Sequence, residues 1–282
     1  MRRLCHLLLT VVLAGKLLAA ATLCLASDYA WLPAYDPSRA LEKRFAPPPG
    51  FERVVVDRGS FQEWLRRLPL KPGAPPVMLH DGRTKGNQAA HLAVVDIDVG
   101  PRDLQQCADA IIRLRAEYLF AQQALDRIRF TFTNGASAPF SRWVEGYRPS
   151  IKGAHVTWRK AASADRSHSS LRDYLDVVFS YAGTASLARE LQPVSDRSTL
   201  QIGDVLIQGG FPGHAVIVVD MAESQERGEM VFALAQSYMP AQDIRILRNP
   251  QDPSSPWYPL PFGEQIETPE WTFRASHLKR FP

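Results

Sequence analysis

Two runs of apolar, largely β-branched residues dominate the hydrophobic pattern, 215–219 (AVIVV) and 230–235 (MVFALA), each short and bounded by turn residues. They predict neighbouring buried strands, antiparallel about a turn centred near Gln225 and Glu226. Opposed residue numbers then sum to roughly 451, which sets Gln236 or Ser237 across from His214 at the start of the first strand. Further strands are expected at 54–56, 92–99, 128–133 and 243–247. Helices are expected at 61–68, where Ser60 is the cap, at 104–124, where Asp103 and Gln106 form a capping box, and at 171–180. Apolar positions Leu104, Ala108, Ile111, Ile112 and Leu119 give the second helix one continuous face.

Polarity at the N-terminus changes the picture. Arg2 and Arg3 precede an apolar run ending near Leu25, the signature of a signal peptide over 1–26 with cleavage after Ala26. A lipoprotein, with Cys24 as first mature residue, is the second reading. The run after Lys16 is about nine residues, short of the roughly 20 that a membrane span needs. Of 33 basic and 29 acidic residues the segment holds three basic and none acidic, so the remainder carries 30 against 29. Near-neutrality, without a basic patch interleaved with aromatics, argues against nucleic acid as a partner. Prolines 33, 37 and 47–49 predict an extended linker over 27–50, and 51–282 reads as one domain ending in an irregular, tryptophan-bearing tail.

Cys5 and Cys24 lie in the signal segment, leaving Cys107 as the one thiol of the expected mature chain. No disulfide, thiolate metal site or cofactor motif is available to it, and no histidines pair at ligand spacing. Cys107 falls in the first turn of its expected helix, where unpaired amides favour thiolate. Nucleophile, base and orienter then follow as Cys107, His214 and Gln236. The competing reading makes Cys107 a small core residue on the apolar face. Gly209, Gly210 and Gly213 leave the imidazole uncovered, and with Ser237 and Trp143 they are the candidate binding residues. Asp96 and Asp98 fall on one face of an expected strand, either to share a cation or proton or as a solvated face, and His91 with Asn87 is a second candidate base.

The pair Gly203-Asp204-Val205 and Gly213-His214-Ala215-Val216-Ile217-Val218 resembles the signature of NlpC-type and CHAP-type papain-like cell-wall hydrolases. The longer wording GGFPGHAVIVVDMA with LAQSYMPAQ is similar to a family of exported bacterial proteins, domain of unknown function 4846, over most of the chain. The first resemblance implies an α+β fold, a mixed or antiparallel sheet packed against the helix carrying Cys107. It also implies a thiol-dependent hydrolase or amidase in the periplasm or envelope, acting on an amide such as a peptidoglycan stem peptide. One position departs from that pattern: the NlpC nucleophile would fall near Ser170, about a dozen residues before Ala182-Gly183, and no cysteine stands there. Ser170 is then a serine nucleophile or a helix cap. The alternatives to an enzyme are a non-catalytic module holding an envelope peptide or glycan on the same scaffold, and a structural envelope protein.

Overall fold

The computed structural model describes residues 28–282. The expected signal segment lies outside the described residues. The sheet is centred on the hairpin His214–Ser224 and Glu229–Gln236, the first strand almost wholly buried and the second buried from Phe232 onward. On the His214 side the sheet continues through Val205–Gln208, Leu278–Arg280 and Gln192–Pro193, with Glu52–Arg53 pairing onto the far end of the central strand. On the other side Glu229–Gln236 is flanked in succession by Trp257–Leu260 and Arg245–Leu247, the latter leading to His91–Val94. All these pairings are antiparallel, so the class is α+β with a mainly antiparallel sheet.

The hairpin register differs from the expected one in an instructive way. Pairing runs Glu229↔Ser224 to Ala233↔Asp220, then shifts to Leu234↔Val218 and Ala235↔Ile217. The turn therefore sits about one residue later than expected, and Val219 is an unpaired bulge residue. Because side chains alternate, one extra residue reverses which face everything beyond it occupies.

Helix Cys107–Ala121 packs across the central strand with Ala108, Ile111, Ile112 and Leu114 buried, and Phe61–Arg66 packs beside it. Ser60 caps the latter, accepting the Glu63 amide at 3.1 Å. Elsewhere the expectations need correction. The long helix begins at Cys107 rather than at Leu104, and its box is Gln106 with Asp109, whose Oδ2 accepts the Gln106 amide at 3.1 Å. Asp103 instead accepts the Ala241 amide at 2.6 Å. Residues 54–56 are no strand: the ladder stops at Arg53, with one further bond from the Val54 amide to the Met221 carbonyl at 3.2 Å, and Val55 is exposed. The segment expected as a linker is folded onto the body: Tyr29 and Leu41 are buried, and the Tyr29 ring lies 5.1 Å from that of Trp64. Of its prolines, Pro37 opens a 3-10 turn, Pro37–Arg39. The tail is regular too, with strands Trp257–Leu260, Gln265–Thr268, Trp271–Arg274 and Leu278–Arg280. No helix among the described residues is long and apolar enough to cross a membrane.

Candidate functional site

The bulge in the central hairpin builds the site. Carried past Ala235↔Ile217, the shifted register sets Gln236 opposite Val216, on the same face as His214 two residues away. Without the bulge the two side chains would lie on opposite faces. As it is, His214 Nε2 and Gln236 Oε1 are 2.7 Å apart. The imidazole is wedged among aromatic rings, with centroids 4.8 Å from Tyr238, 5.3 Å from Trp271 and 5.8 Å from Phe273. Burial pushes its pKa down to about 4, only partly offset by the hydrogen bond to Gln236, so the ring is neutral at physiological pH.

Cys107 is the first residue of its helix, which places its thiol at the end where amides are unpaired. It and His214 line one cavity of about 380 Å³. The wall is completed by Leu104, Phe179, Gly183, Thr184, Tyr238 and Trp271, and the mouth by Phe211 and Met239, which are 97 % and 50 % exposed. Burial, then the neighbouring Asp109, pushes the thiol up to about 11. Asp109 is itself pushed up to about 8 by burial. The resting state at neutral pH is thus an uncharged thiol and an uncharged imidazole. Among the described residues no hydrogen bond joins them, and the ring's hydrogen bond, to Gln236, is made by Nε2. Three larger clefts, of about 570 Å³ beside Arg115 and Phe281, about 610 Å³ beside Arg197 and Ser276 and about 390 Å³ beside Phe132 and Tyr181, contain neither thiol nor imidazole.

Gly210 and Gly213 stand on the cavity wall. A Cβ on Gly213 would lie 2.4 Å from both the Gly210 carbonyl and Thr184 Oγ1, and Gly210 has φ +114°, so this loop closes on the helix Thr184–Glu190 only with glycine. Gly209 packs against Ala188, outside the cavity. Ser237 is sealed in the interior, its hydroxyl directed at the carbonyls of Gln242 (2.8 Å) and Gln105 (3.2 Å). Trp143 is a core residue, its indole donating to Ser170 Oγ at 3.2 Å and stacked under the Arg148 guanidinium at 3.8 Å. Neither is part of the cavity. That contact also buries Ser170, which does not line the cavity, and the helix His168–Tyr181 is capped by Ser167 rather than Ser170. Asp96 pairs with Arg39 at 2.6 Å and Asp98 with Arg113 at 3.0 Å; neither touches the cavity. His91 Nε2 lies 3.2 Å from the Pro75 carbonyl.

The residue sequence reasoning missed is Glu270. Its Oε2 accepts the Gln236 side-chain amide at 2.8 Å and bonds Arg245, while its Oε1 bonds Lys85. Burial opposes the charge, yet Arg245 and Lys85 hold the carboxyl below its usual range. No local pattern marked it, because it sits at the tip of a hairpin within the segment expected to be irregular. No group of three or more His, Cys, Asp or Glu suited to a metal occurs among the described residues. In comparison with known proteins, a family model described as domain of unknown function (4846) matches residues 41–280. Neither a curated protein nor a solved structure matches.

Proposed function

The chain belongs to that family, domain of unknown function (4846), and on that premise we propose from the cavity itself that the protein is a thiol-dependent hydrolase or amidase working on the papain-like pattern. One observation carries the reading: a thiol at a helix start and an amide-oriented histidine from the central hairpin open onto the same cavity. His214 Nδ1 takes the thiol proton as Sγ bonds to the substrate carbonyl carbon. Unpaired first-turn amides receive the oxyanion. As the C–N bond breaks the proton passes to the leaving amine, leaving a thioester that water hydrolyses to free acid and thiol. Neutral partners at rest suit this general-base route better than a standing thiolate–imidazolium pair.

Phe211 and Met239 at the mouth and Trp271 inside fit an apolar group beside the scissile amide. The cavity wall bears Asp103 and no Lys or Arg, which favours neutral or cationic flanks over a carboxylate. The resemblance to NlpC and CHAP hydrolases and the signal-like N-terminus extend the proposal to an exported enzyme and an envelope amide such as a peptidoglycan stem peptide. A second reading, a non-catalytic module holding an envelope peptide or glycan, is favoured by the burial of Cys107, 7 % exposed.

Alkylation of Cys107 in the folded protein across pH separates the two, in wild type and in His214→Ala. The imidazole accepts a proton only when neutral, so the wild-type rate should hold from about pH 5 upward and fall as pH drops through about 4. The variant should be slower at pH 7 by about 10²–10⁴-fold and climb only toward pH 11, where the thiol ionises unaided. Labelling of wild type only after unfolding would leave the binding module.

A further inference from the structure

We propose that Glu270 is a positioning residue for this site: through the side-chain amide of Gln236 it sets which nitrogen of His214 carries the proton. The inference rests on the hydrolase reading for its catalytic meaning, though not for its test.

The argument is one of donors and acceptors. An ionised carboxylate can only accept, so the end of the Gln236 side chain 2.8 Å from Glu270 must be its NH₂ group. The other end, 2.7 Å from His214 Nε2, must then be the carbonyl oxygen. A carbonyl only accepts, so Nε2 carries the hydrogen. Nδ1 is left with its lone pair, since the hydrogen bond to Gln236 is made by Nε2. Were the Gln236 amide reversed, its NH₂ would face His214, Nε2 would hold the lone pair and Nδ1 the hydrogen, and the ring could not take a proton at Nδ1. Gln236 alone does not choose between these states, because an amide presents either end at equal length. The choice is made by the charge behind it.

Glu270 is held in place and in charge for that task. Arg245, fully buried, and Lys85 both bond it, and Asn87 Nδ2 approaches its Oε1 at 3.4 Å. Its backbone is the tip of the hairpin Gln265–Thr268 and Trp271–Arg274, a two-residue turn closed by Thr268 Oγ1 accepting the Trp271 amide at 3.1 Å. The same turn lays the Trp271 ring beside His214. The C-terminal hairpin thus supplies both a wall of the cavity and the carboxylate that orients its base.

Ring ¹⁵N shifts of His214 and the exchange rate of its ring proton read the tautomer in substrate-free protein. Wild type should show one neutral tautomer, Nε2–H, with that proton protected from solvent. Glu270→Asp keeps the charge for Arg245 and Lys85 but withdraws the oxygen by one methylene. It should stay folded, lose the protection, show detectable Nδ1–H and alkylate Cys107 more slowly. Glu270→Gln offers one oxygen to the same donors and should fall between. An Nδ1–H ring in wild type overturns the proposal, and so do folded variants that keep the wild-type tautomer and protection. If neither variant folds, the wild-type signature decides. A protected Nε2–H ring beside an unreactive thiol would uphold the positioning and sink the hydrolase, so the two ideas fail separately.

Discussion

Two imidazoles serve the helix Cys107–Ala121, one from each end, and the fold treats them oppositely. Toward its C-terminal half, His168 Nε2 meets Glu117 at 2.9 Å, and Glu117 in turn pairs at 2.7 Å with Arg113. Arg113 also bonds Gln105 Oε1, the Asp98 carbonyl and the Asp98 carboxylate at 2.9–3.0 Å. Arg113 and Glu117 are fully buried and paired to each other. Burial opposes the Glu117 charge, and Arg113 with His168 outweighs it. Around His214, by contrast, the charges stand one residue back, at Glu270 and Arg245, and the ring itself has a neutral partner on one nitrogen and an open cavity beside it. Each ring is bonded through Nε2, so what differs is the partner and the surroundings: His168 is tied to a buried carboxylate that is itself paired with Arg113, whereas His214 is held by a neutral amide and lines a cavity that a substrate can enter.

The contrast can be broken at several points. Glu117→Ala should have the largest effect on stability, about 3–5 kcal/mol in chemical denaturation, because Arg113 keeps its charge in the interior with a partner missing. The alkylation rate of Cys107 below the unfolding transition should not change; if it falls as far as in His214→Ala, the two centres are one network and the contrast is false. Gly213→Ala comes next, at about 1–3 kcal/mol, since its methyl would overlap the Gly210 carbonyl and Thr184 Oγ1. Here alkylation kinetics should change together with melting temperature, because the displaced loop is the cavity wall. The smallest effect belongs to Phe211→Ala. An exposed ring contributes little to folding, so stability should hold while apolar ligands bind about tenfold more weakly, roughly 1.4 kcal/mol. Unchanged affinity, measured by titration with an apolar peptide amide, would remove the mouth from the binding surface.

Much of the scaffold was legible in the chain. Short continuous apolar runs bounded by turn residues and an apolar helix face mark the hairpin and the Cys107 helix because both patterns are local signals of buried strands and of an amphipathic helix. Cys107, His214 and Gln236 could be picked out from those elements: a thiol in a first helical turn, a histidine at a strand start, and an amide one strand on. Trp143 and Ser237 were misplaced as binding residues for a physical reason. Aromatic and hydroxyl side chains serve a groove or a core equally well, and only the packing of Trp143 on Ser170 and of Ser237 on two carbonyls assigns them. The expected linker and irregular tail failed similarly, because proline counts report local stiffness and not whether aromatic residues such as Tyr29 or Trp271 find a surface to cover.

By itself, then, the sequence determined the central hairpin, the helix that carries the single thiol of the described chain, and the chemical kinds available where they meet. Tertiary structure decided three things no local pattern encodes. The bulge at Val219 chose the face on which Gln236 meets His214. The loop around Gly213 closed against Thr184 and shaped the cavity. Glu270 arrived from 34 residues beyond Gln236 to orient its amide. Register, close approach and long-range charge are set by which surfaces pack together, and that is a property of the folded chain rather than of any stretch of it.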